Sequence, residues 1–374
     1  MSHFDYIIVG GGIIGSAIAY GIANKGFSVA ILDGGGDAYR ASVGNFGLVW
    51  VQGKGQGSPS YAEWCHETAS LFPDYAQWLQ EETGVDVAYR KPGGLTLCHG
   101  EAEYEKRTQI IERLTRESRS GNYDCEMIDR QKIQQMLPKL ALGSKICGAS
   151  YSPHDGHLNP LALLKALQTG FTRAGGTLFP GTTVRNLRYE NNRFFATTTQ
   201  ESHSSTKIIL AAGNAITHLA AMLGMHIPVS PQQGQLLVTE RVQPCLSMPI
   251  SGIQQTLEGS FVVGLSNRSV GFNTDMDVAL MKQMAQRVVN AFPILSKLRL
   301  VRGWSALRVL SPDGLPIYQQ SEDCPGAYAI TSHSGISLAP MHQSHIVDWI
   351  IDGIEPKDFQ TFSARRFDVK KTAH

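Results

Sequence analysis

The sequence of 374 residues lacks an excess of either charge, since 33 Lys and Arg stand against 32 Asp and Glu. It also lacks a basic run with interleaved aromatic residues, so nothing favours a nucleic acid or an anionic membrane surface as partner. The six cysteines have no C-x-x-C spacing, which leaves structural disulfides, an iron–sulfur site and a zinc site without support. We expect reduced thiols in a cytoplasmic protein that acts on a small molecule.

Long apolar runs are scarce as well. The uncharged stretch at residues 6–23 could be mistaken for a signal peptide, but it contains five glycines and follows Asp5 with no Lys or Arg before it. No other segment is apolar over the length that a bilayer requires. We therefore predict no membrane span.

The same stretch carries the most informative pattern in the chain. A run of β-forming residues at 6–9 leads into Gly10, Gly12 and Gly15, which have the G-x-G-x-x-G spacing, and then into a predicted helix. In that arrangement the glycines allow a tight turn, close approach of a pyrophosphate to the backbone, and packing of helix on strand. The helix N-terminus then faces the phosphates.

A second strand is predicted at residues 28–32, and Asp33 ends it about 20 residues past the glycines, where a carboxylate binds a ribose in dinucleotide sites. Together the two strands indicate a bound dinucleotide, with a purely structural turn as the alternative. The residues after Asp33 are small and turn-forming, and an ordinary surface loop is the alternative there. The predicted cofactor contacts in these segments, with the first residues of the helix, are Ile13, Ile14, Gly34, Arg40, Ala41, Ser42, Asn45, Gly47 and Leu48.

Two later segments also end in small residues at positions suited to a ligand. A buried strand at residues 207–210 runs into tiny residues, and a strand at 327–331 runs into a Ser- and Gly-rich turn before a helix. The predicted contacts from this half of the chain are Val184, Ala212, Gly213, Ser334, Gly335, Ile336, Ser337 and Leu338.

Several local expectations are open to test. We predict a mobile loop or lid at residues 52–60, a helix at 61–83 kinked or divided by Pro73, a strand at 85–90 and a helix at 342–351. Short strands among Gly and Pro turns at residues 228–272 predict an antiparallel sheet in a second domain. The pair of histidines around Asp155 is assigned to a turn and helix start rather than to a metal.

With these motifs placed, the chain resembles the D-amino-acid-oxidase-like superfamily of FAD enzymes, which includes glycine oxidase and sarcosine oxidase. The opening glycine pattern and four later segments carry the resemblance: residues 155–160, 210–213, 302–316 and the loop around Gly335. It implies an α/β (α+β) fold. An FAD-binding Rossmann-like domain is then expected from residues 1–84, 145–216 and 303–374, and an antiparallel-sheet substrate domain from residues 85–144 and 217–302.

Residues 44–55 and 362–367 are similar to the β subunits of heteromeric dehydrogenases for opines (octopine, nopaline) and D-hydroxyproline, and the second segment also to hydrogen cyanide synthase flavin subunits. This implies partner subunits, with an iron–sulfur cluster among the partners and an FMN at a subunit interface as further features of the group. Asp33 departs from the family's usual Glu, and Ala306 to Val309 replace its Gly-Leu-Arg-Pro. No cysteine lies near Arg308 for flavin attachment, so non-covalent FAD is expected.

The resemblance assigns Arg308 to the substrate carboxylate, which a guanidinium grips through both oxygens, with a salt bridge as the alternative role. Trp50 and His333 are candidate residues of the flavin pocket, and simple packing is as good an explanation for each. The predicted activity is oxidation of an amino acid or secondary amine by hydride transfer to FAD. A stand-alone oxidase using oxygen, an NAD-linked dehydrogenase and a non-catalytic flavin scaffold stay open at this point.

Overall fold

The computed structural model describes residues 2–35, 40–119 and 123–368. Its strands are β1 (His3–Val9), β2 (Val29–Asp33), β3 (Leu48–Val49), β4 (Gly94–His99), β5 (Glu126–Asp129), β6 (Ile146–Ser152), β7 (Gly156–His157), β8 (Thr177–Pro180), β9 (Val184–Glu190), β10 (Arg193–Thr198), β11 (Ser202–Leu210), β12 (Ser230–Arg241), β13 (Ile253–Gln255), β14 (Ser260–Val263), β15 (Leu300–Leu310), β16 (Ile317–Gln320) and β17 (Ala327–Thr331).

Helices connect and cover these strands. They are α1 (Ile13–Asn24), α2 (Pro59–Thr83), α3 (Glu101–Glu117), α4 (Arg130–Met136), α5 (Pro160–Arg173), α6 (Ile216–Ala221), α7 (Val278–Ala291), α8 (Ala339–Gln343) and α9 (His345–Asp352), with short 3₁₀ turns at Gly213–Ala215, Pro293–Lys297, Phe359–Phe362 and Ala364–Phe367. No helix in the described ranges is long and apolar enough to cross a bilayer.

The larger sheet has the order β16-β17-β11-β1-β2-β8, and β10 and β9 branch from β11. The pairs formed by β17, β11, β1, β2 and β8 are parallel, which brings the carboxyl ends of these strands to one edge. Buried residues alternate along β1, so that Ile8 faces the core under α1 and α5 while Ile7 and Val9 face the core under α6. The strands therefore read as continuous apolar runs, as is typical of a sheet covered on both faces.

The second region is built from antiparallel sheets. One has the order β13-β14-β12-β15 and the other the order β4-β6-β5. Leu237, Phe261 and Phe292 share a third apolar core between these sheets and α7. The predicted fold class, a Rossmann-like sheet with a second antiparallel-sheet region, is confirmed. The predicted domain boundaries stay a prediction; their ranges also include Met1 and residues 36–39, 120–122 and 369–374, which lie outside the described residues.

Two local predictions were wrong, and a third was wrong in part. Helix α2 continues through the exposed Pro73 as one helix, so the predicted division is wrong, while the predicted kink stays a prediction. The predicted strand at residues 85–90 is not a strand, since Ala88 adopts φ +55° and Arg90 makes only an isolated bridge to His157. The predicted helix at residues 342–351 is two helices, because the backbone of Ser344 (φ −112°, ψ −86°) ends α8 and begins α9.

Candidate functional site: a cavity at the carboxyl edge of the parallel sheet

A cavity of about 530 Å³ lies where β1, β2, β11 and β17 end. This volume is in the range that cofactor and ligand sites occupy. Fifteen of the predicted cofactor residues line it, namely Gly10, Gly12, Ile13, Ile14, Asp33, Gly34, Arg40, Ala41, Ser42, Asn45, Val184, Ala212, Gly213, Gly335 and Ile336. Folding thus brings segments from the whole length of the chain to one place.

The glycine turn between β1 and α1 forms one end of the cavity. Gly10 has φ +107°, and a Cβ there would lie 2.5 Å from the Ala211 carbonyl oxygen. A Cβ on Gly15 would lie 2.0 Å from the Gly10 carbonyl oxygen, although Gly15 itself lies behind the turn and off the cavity wall. Only glycine fits at either position, because real Cβ atoms do not approach an oxygen so closely.

The N-terminus of α1 faces the cavity with backbone groups. Its N-cap is Gly12, which carries no capping side chain, and the first turn contains no acidic residue. The Ile13 N–H donates to Ser42 Oγ at 3.0 Å, and a Cβ on Gly12 would lie 2.8 Å from the same oxygen. A helix N-terminus without an acidic residue in its first turn can accept the negative charge of a diphosphate.

Asp33 ends β2 and is buried at the cavity wall. Its Oδ1 accepts hydrogen bonds from the Gly35 N–H at 2.9 Å and from Arg40 Nη1 at 2.5 Å. Its Oδ2 faces the turn, where a Cβ on Gly11 would lie 2.5 Å away. One carboxylate oxygen is thus held by the protein itself, which fixes the orientation of the other toward the glycine turn and suits a ribose hydroxyl.

Some of the predicted residues do not line the cavity. The Gly47 carbonyl accepts from the Leu158 N–H, and Leu48 pairs with His157 in the small β3–β7 sheet. Asn45 turns the chain there by accepting from the Gly47 N–H at 2.7 Å. Gly47 and Leu48 therefore join the loop to a second segment, and their predicted cofactor contacts stay predictions.

The loop at residues 332–338 forms the other end of the cavity, with Ser332, His333, Gly335 and Ile336 in its wall. Ser334, Ser337 and Leu338 lie behind the wall. The Ser334 hydroxyl accepts from the Tyr61 hydroxyl at 2.6 Å, Ser337 Oγ accepts from the Trp50 N–H at 3.1 Å, and Leu338 is fully buried in the core.

Trp50 also lies away from the cavity wall in the described structure. Its ring covers Gly94 at the start of β4, where a Cβ would lie 2.7 Å from a ring atom. The indole thus packs between the 44–50 loop and the antiparallel region. Its predicted place in the flavin pocket stays a prediction.

Arg308 lies on β15 between Leu307 and Val309, which line the cavity, so that its own side chain emerges on the opposite face of the strand. The guanidinium lies against Gly234 of β12, where a Cβ would be 2.5 Å from Nη1. Its one described hydrogen bond is a long one, from Nη1 to the Gln233 carbonyl at 3.5 Å. Within the described ranges no carboxylate lies within 4 Å of it, and burial lowers its pKa.

His333 is exposed toward the open cavity, yet it lies deep in the fold and near two cations. Its pKa is lowered to about 4 by burial first, and then by the positive charges of Lys54 and Arg308. The imidazole is therefore neutral at physiological pH and can donate or accept one hydrogen bond without adding charge.

Two functional candidates were missed by sequence reasoning, which took residues 52–60 for a mobile loop or lid. Gln52 and the ammonium group of Lys54 are in fact buried. The carboxylate of Asp155 holds this segment, because it accepts from the Val51 N–H and from Gln52 Nε2, both at 2.6 Å. A lysine between two glycines, Gly53 and Gly55, was the available signal.

The same contacts explain Asp155, which was assigned to a turn rather than a metal. Burial raises its pKa to about 6, while the hydrogen bonds from Val51 and Gln52 act in the opposite direction. Among the described residues no group of His, Cys, Asp and Glu could hold a metal ion.

Comparisons with known proteins agree with this geometry. The family described as FAD dependent oxidoreductase (DAO) matches residues 5–349. An opine oxidase subunit of Rhizobium meliloti is 36% identical over 374 residues, covering 99% of this chain and 100% of that protein. Glycine oxidase of Geobacillus kaustophilus is 25% identical over 380 residues, covering 98% of each chain. The crystal structure of glycine oxidase from that species matches with a TM-score of 0.90 at 24% identity, covering 99% of this chain and 100% of that one.

The predicted resemblance, enzyme class and cofactor are thereby confirmed, and an NAD-linked dehydrogenase no longer fits. The N-terminus of α1 and the Asp33 carboxylate have the donor and acceptor character that fits the diphosphate and ribose of FAD. The chain therefore belongs to the DAO family of FAD-dependent oxidoreductases.

Proposed function

We propose that this enzyme oxidises the C–N bond of an amino acid or secondary amine acid, such as an opine, D-hydroxyproline, a D-amino acid or an N-alkyl glycine. The observation that carries the proposal is Arg308, a largely buried guanidinium for which the described residues supply no carboxylate. A buried cation without a partner is costly, so its retention favours an anionic ligand that completes the pair. A substrate carboxylate matches the planar fork of guanidinium N–H groups.

The protein's task in this chemistry is placement. FAD supplies the acceptor for the hydride when bound, so the chain has to hold the substrate C–H bond in position and exclude water. Arg308 fixes the carboxylate. Neutral His333 adds a hydrogen-bonding group to the cavity without adding a further positive charge.

We further propose that the chain works as the catalytic β subunit of a heteromeric dehydrogenase. The relative at 36% identity over its full length is described as a subunit, which supports partner chains. An iron–sulfur cluster in a partner, an FMN at a subunit interface and a cytoplasmic location are finer parts of the same proposal. To test these parts, the complex is isolated from the cytoplasmic fraction of its own cells. Its mass measures the number of partner chains, its iron content tests for the cluster, and its flavin content tests for FMN.

The decisive experiment is anaerobic bleaching of the flavin absorbance by a panel of opines, hydroxyprolines, D-amino acids and N-methyl amino acids. We expect one class to bleach the flavin. We also expect Arg308→Met to lower the second-order rate constant of bleaching about 30-fold or more, since loss of one partner of a buried charge pair costs about 2–5 kcal/mol.

Arg302→Met is the matched control, because Arg302 lies on the same strand but is exposed and stacks on Trp304. It should bleach at the wild-type rate. Flavin that is present but bleached by no member of the panel would contradict catalysis by this chain and favour a scaffold. Rapid reoxidation by air would favour a stand-alone oxidase over the heteromeric dehydrogenase.

A further inference from the structure

Lys54 has a buried ammonium group that the proposed substrate chemistry does not use. It lies between Gly53 (φ +84°) and Gly55 (φ +82°), and these two residues turn the chain tightly enough to aim the side chain inward. Its ammonium donates to Ser334 Oγ at 2.8 Å and to Ser337 Oγ at 3.3 Å. Both acceptors belong to the loop at residues 332–338.

The ammonium has no ion-pair partner in the described ranges, since no carboxylate oxygen there lies within 4 Å of it. Burial lowers its pKa, while Cys65 and Asp155, which lie farther off, act in the opposite direction. Hydrogen bonds to two serine hydroxyls compensate only part of the free energy that is lost when a charged ammonium group leaves water. Lys54 therefore resembles Arg308, because each is a buried cation whose charge a bound anion would neutralise.

The cavity lies on the other side of the same loop. Ser334 and Ser337 hold Lys54, whereas His333, Gly335 and Ile336 between and beside them line the cavity. The charge also reaches the cavity, because it contributes to the lowered pKa of His333. The positive charge of Lys54 thus acts electrostatically on the cavity from behind the loop of residues 332–338, without lining the cavity itself.

FAD, when bound, would accept a hydride from the substrate C–H bond. Two electrons and one proton would leave together, the substrate would become an iminium ion, and the flavin would gain one negative charge. A fixed positive charge behind the wall stabilises that charge without any reorganisation during the reaction.

We propose that Lys54 is a positioning charge that keeps the reduced flavin anionic and raises its reduction potential, with Ser334 and Ser337 as its supports. This inference rests on the proposed function, and it places the pyrimidine edge of the flavin at the loop of residues 332–338, the end of the cavity opposite the glycine turn. Arg308 selects the substrate, whereas Lys54 sets how readily the flavin accepts its electrons.

The first test needs only the wild-type holoenzyme and no substrate. Its midpoint potential is measured against pH on the acid side of neutrality, where reduced flavin free in water is uncharged. We expect the slope of a couple that takes up two electrons and one proton. A slope twice as steep, which means two electrons and two protons, overturns the proposal.

The second test compares variants. Lys54→Met should lower the equilibrium preference for reduced flavin at least tenfold, which is about 30 mV for a two-electron couple. It should also double the slope against pH. Lys54→Arg keeps the charge and should restore the wild-type slope.

Two controls separate charge from packing. Arg107→Met removes another largely buried cation, one that donates to Gln52 Oε1 and Ser150 Oγ and makes no described contact with the loop at residues 332–338. Tyr61→Phe removes the hydroxyl that donates to Ser334 but keeps the charge. Both should keep the wild-type slope even where they lower the melting temperature.

The outcomes distinguish the two proposals. A wild-type protein that binds no flavin overturns both. Flavin that is bleached by substrate but has an unchanged potential and slope in Lys54→Met overturns the role of Lys54 alone. Should Lys54→Met not fold, the wild-type slope still decides.

Discussion

The two ends of the cavity are built in different ways. At the glycine turn, the contacts are between backbone atoms, and Gly10 and Gly15 leave no room for a Cβ. At the end formed by the loop of residues 332–338, the important contacts are those of side chains. Two cations there, Lys54 and Arg308, lack a carboxylate partner within the described ranges. The first end is shaped by backbone with no room for side chains, whereas the second holds two cations without an anion.

This difference separates what is general from what is particular in the molecule. A turn made of backbone can hold the diphosphate of any dinucleotide, so it identifies the class of cofactor and little else. The unpaired cations Lys54 and Arg308, by contrast, favour anions at defined positions, so they indicate the class of substrate and the redox chemistry. Disturbing the first end should damage the fold, and disturbing the second should change chemistry in an intact fold.

The largest effect is expected at the glycine turn. Gly15→Ala should destabilise the protein by about 3 kcal/mol or more, because its Cβ would lie 2.0 Å from a backbone oxygen in a packed core. Chemical denaturation with and without FAD measures the loss. Gly175→Ala is the control, since open space surrounds Gly175 and only its φ of +86° is unfavourable, at about 1–2 kcal/mol. Equal losses in the two variants would contradict the close-packing argument.

A smaller effect is expected where the cofactor meets a side chain. Asp33→Asn should weaken FAD binding roughly 10- to 150-fold, because one hydrogen bond to a charged group contributes about 1.5–3 kcal/mol. Titration of the apoprotein by flavin fluorescence measures the dissociation constant. The control is Asp348→Asn, which breaks an exposed ion pair with Lys25 far from the cavity. If both variants bound FAD as the wild type does, Asp33 would not contact the ribose.

The smallest effect is a shift in one titration. A short carboxylate such as acetate, bound at Arg308, should raise the pKa of His333 from about 4, because it neutralises one of the two cations that lower it. His342 is the internal control, since burial alone lowers its pKa, to about 3. NMR titration of both imidazoles with and without acetate measures the difference. A shift of His342 equal to that of His333 would show a general effect of the salt.

The predictions that the structure confirmed depend on neighbouring residues. The turn and helix start predicted around Asp155 were readable because Asn159, followed by Pro160, is a typical capping residue, and its side chain does cap the N–H groups of residues 161 and 162. The strand, turn and helix at residues 3–24 were readable for the same reason. The fold class and the class of cofactor followed from these local patterns.

The parts that were missed depend on residues distant in the chain. Nothing near Lys54 in the sequence shows that Ser334 and Ser337 come to meet it, or that Asp155 fixes the backbone before it. A Gly- and Gln-rich segment reads as a mobile loop until those partners are known. Likewise the strand predicted at residues 85–90 had the right composition but no neighbour to pair with along its length.

The segment at residues 44–54 is joined mainly to residues made much later in synthesis. Val51 and Gln52 meet Asp155, 104 and 103 residues on, and the Trp50 N–H meets Ser337, 287 residues on. Such long loops close slowly, since chain entropy is lost before the contacts form. This segment therefore cannot take up its final contacts on the ribosome until nearly the whole chain has emerged. Lys54, at the end of the segment, likewise meets Ser334 and Ser337 only at that late stage, so the cation behind the cavity loop is placed among the last steps of folding.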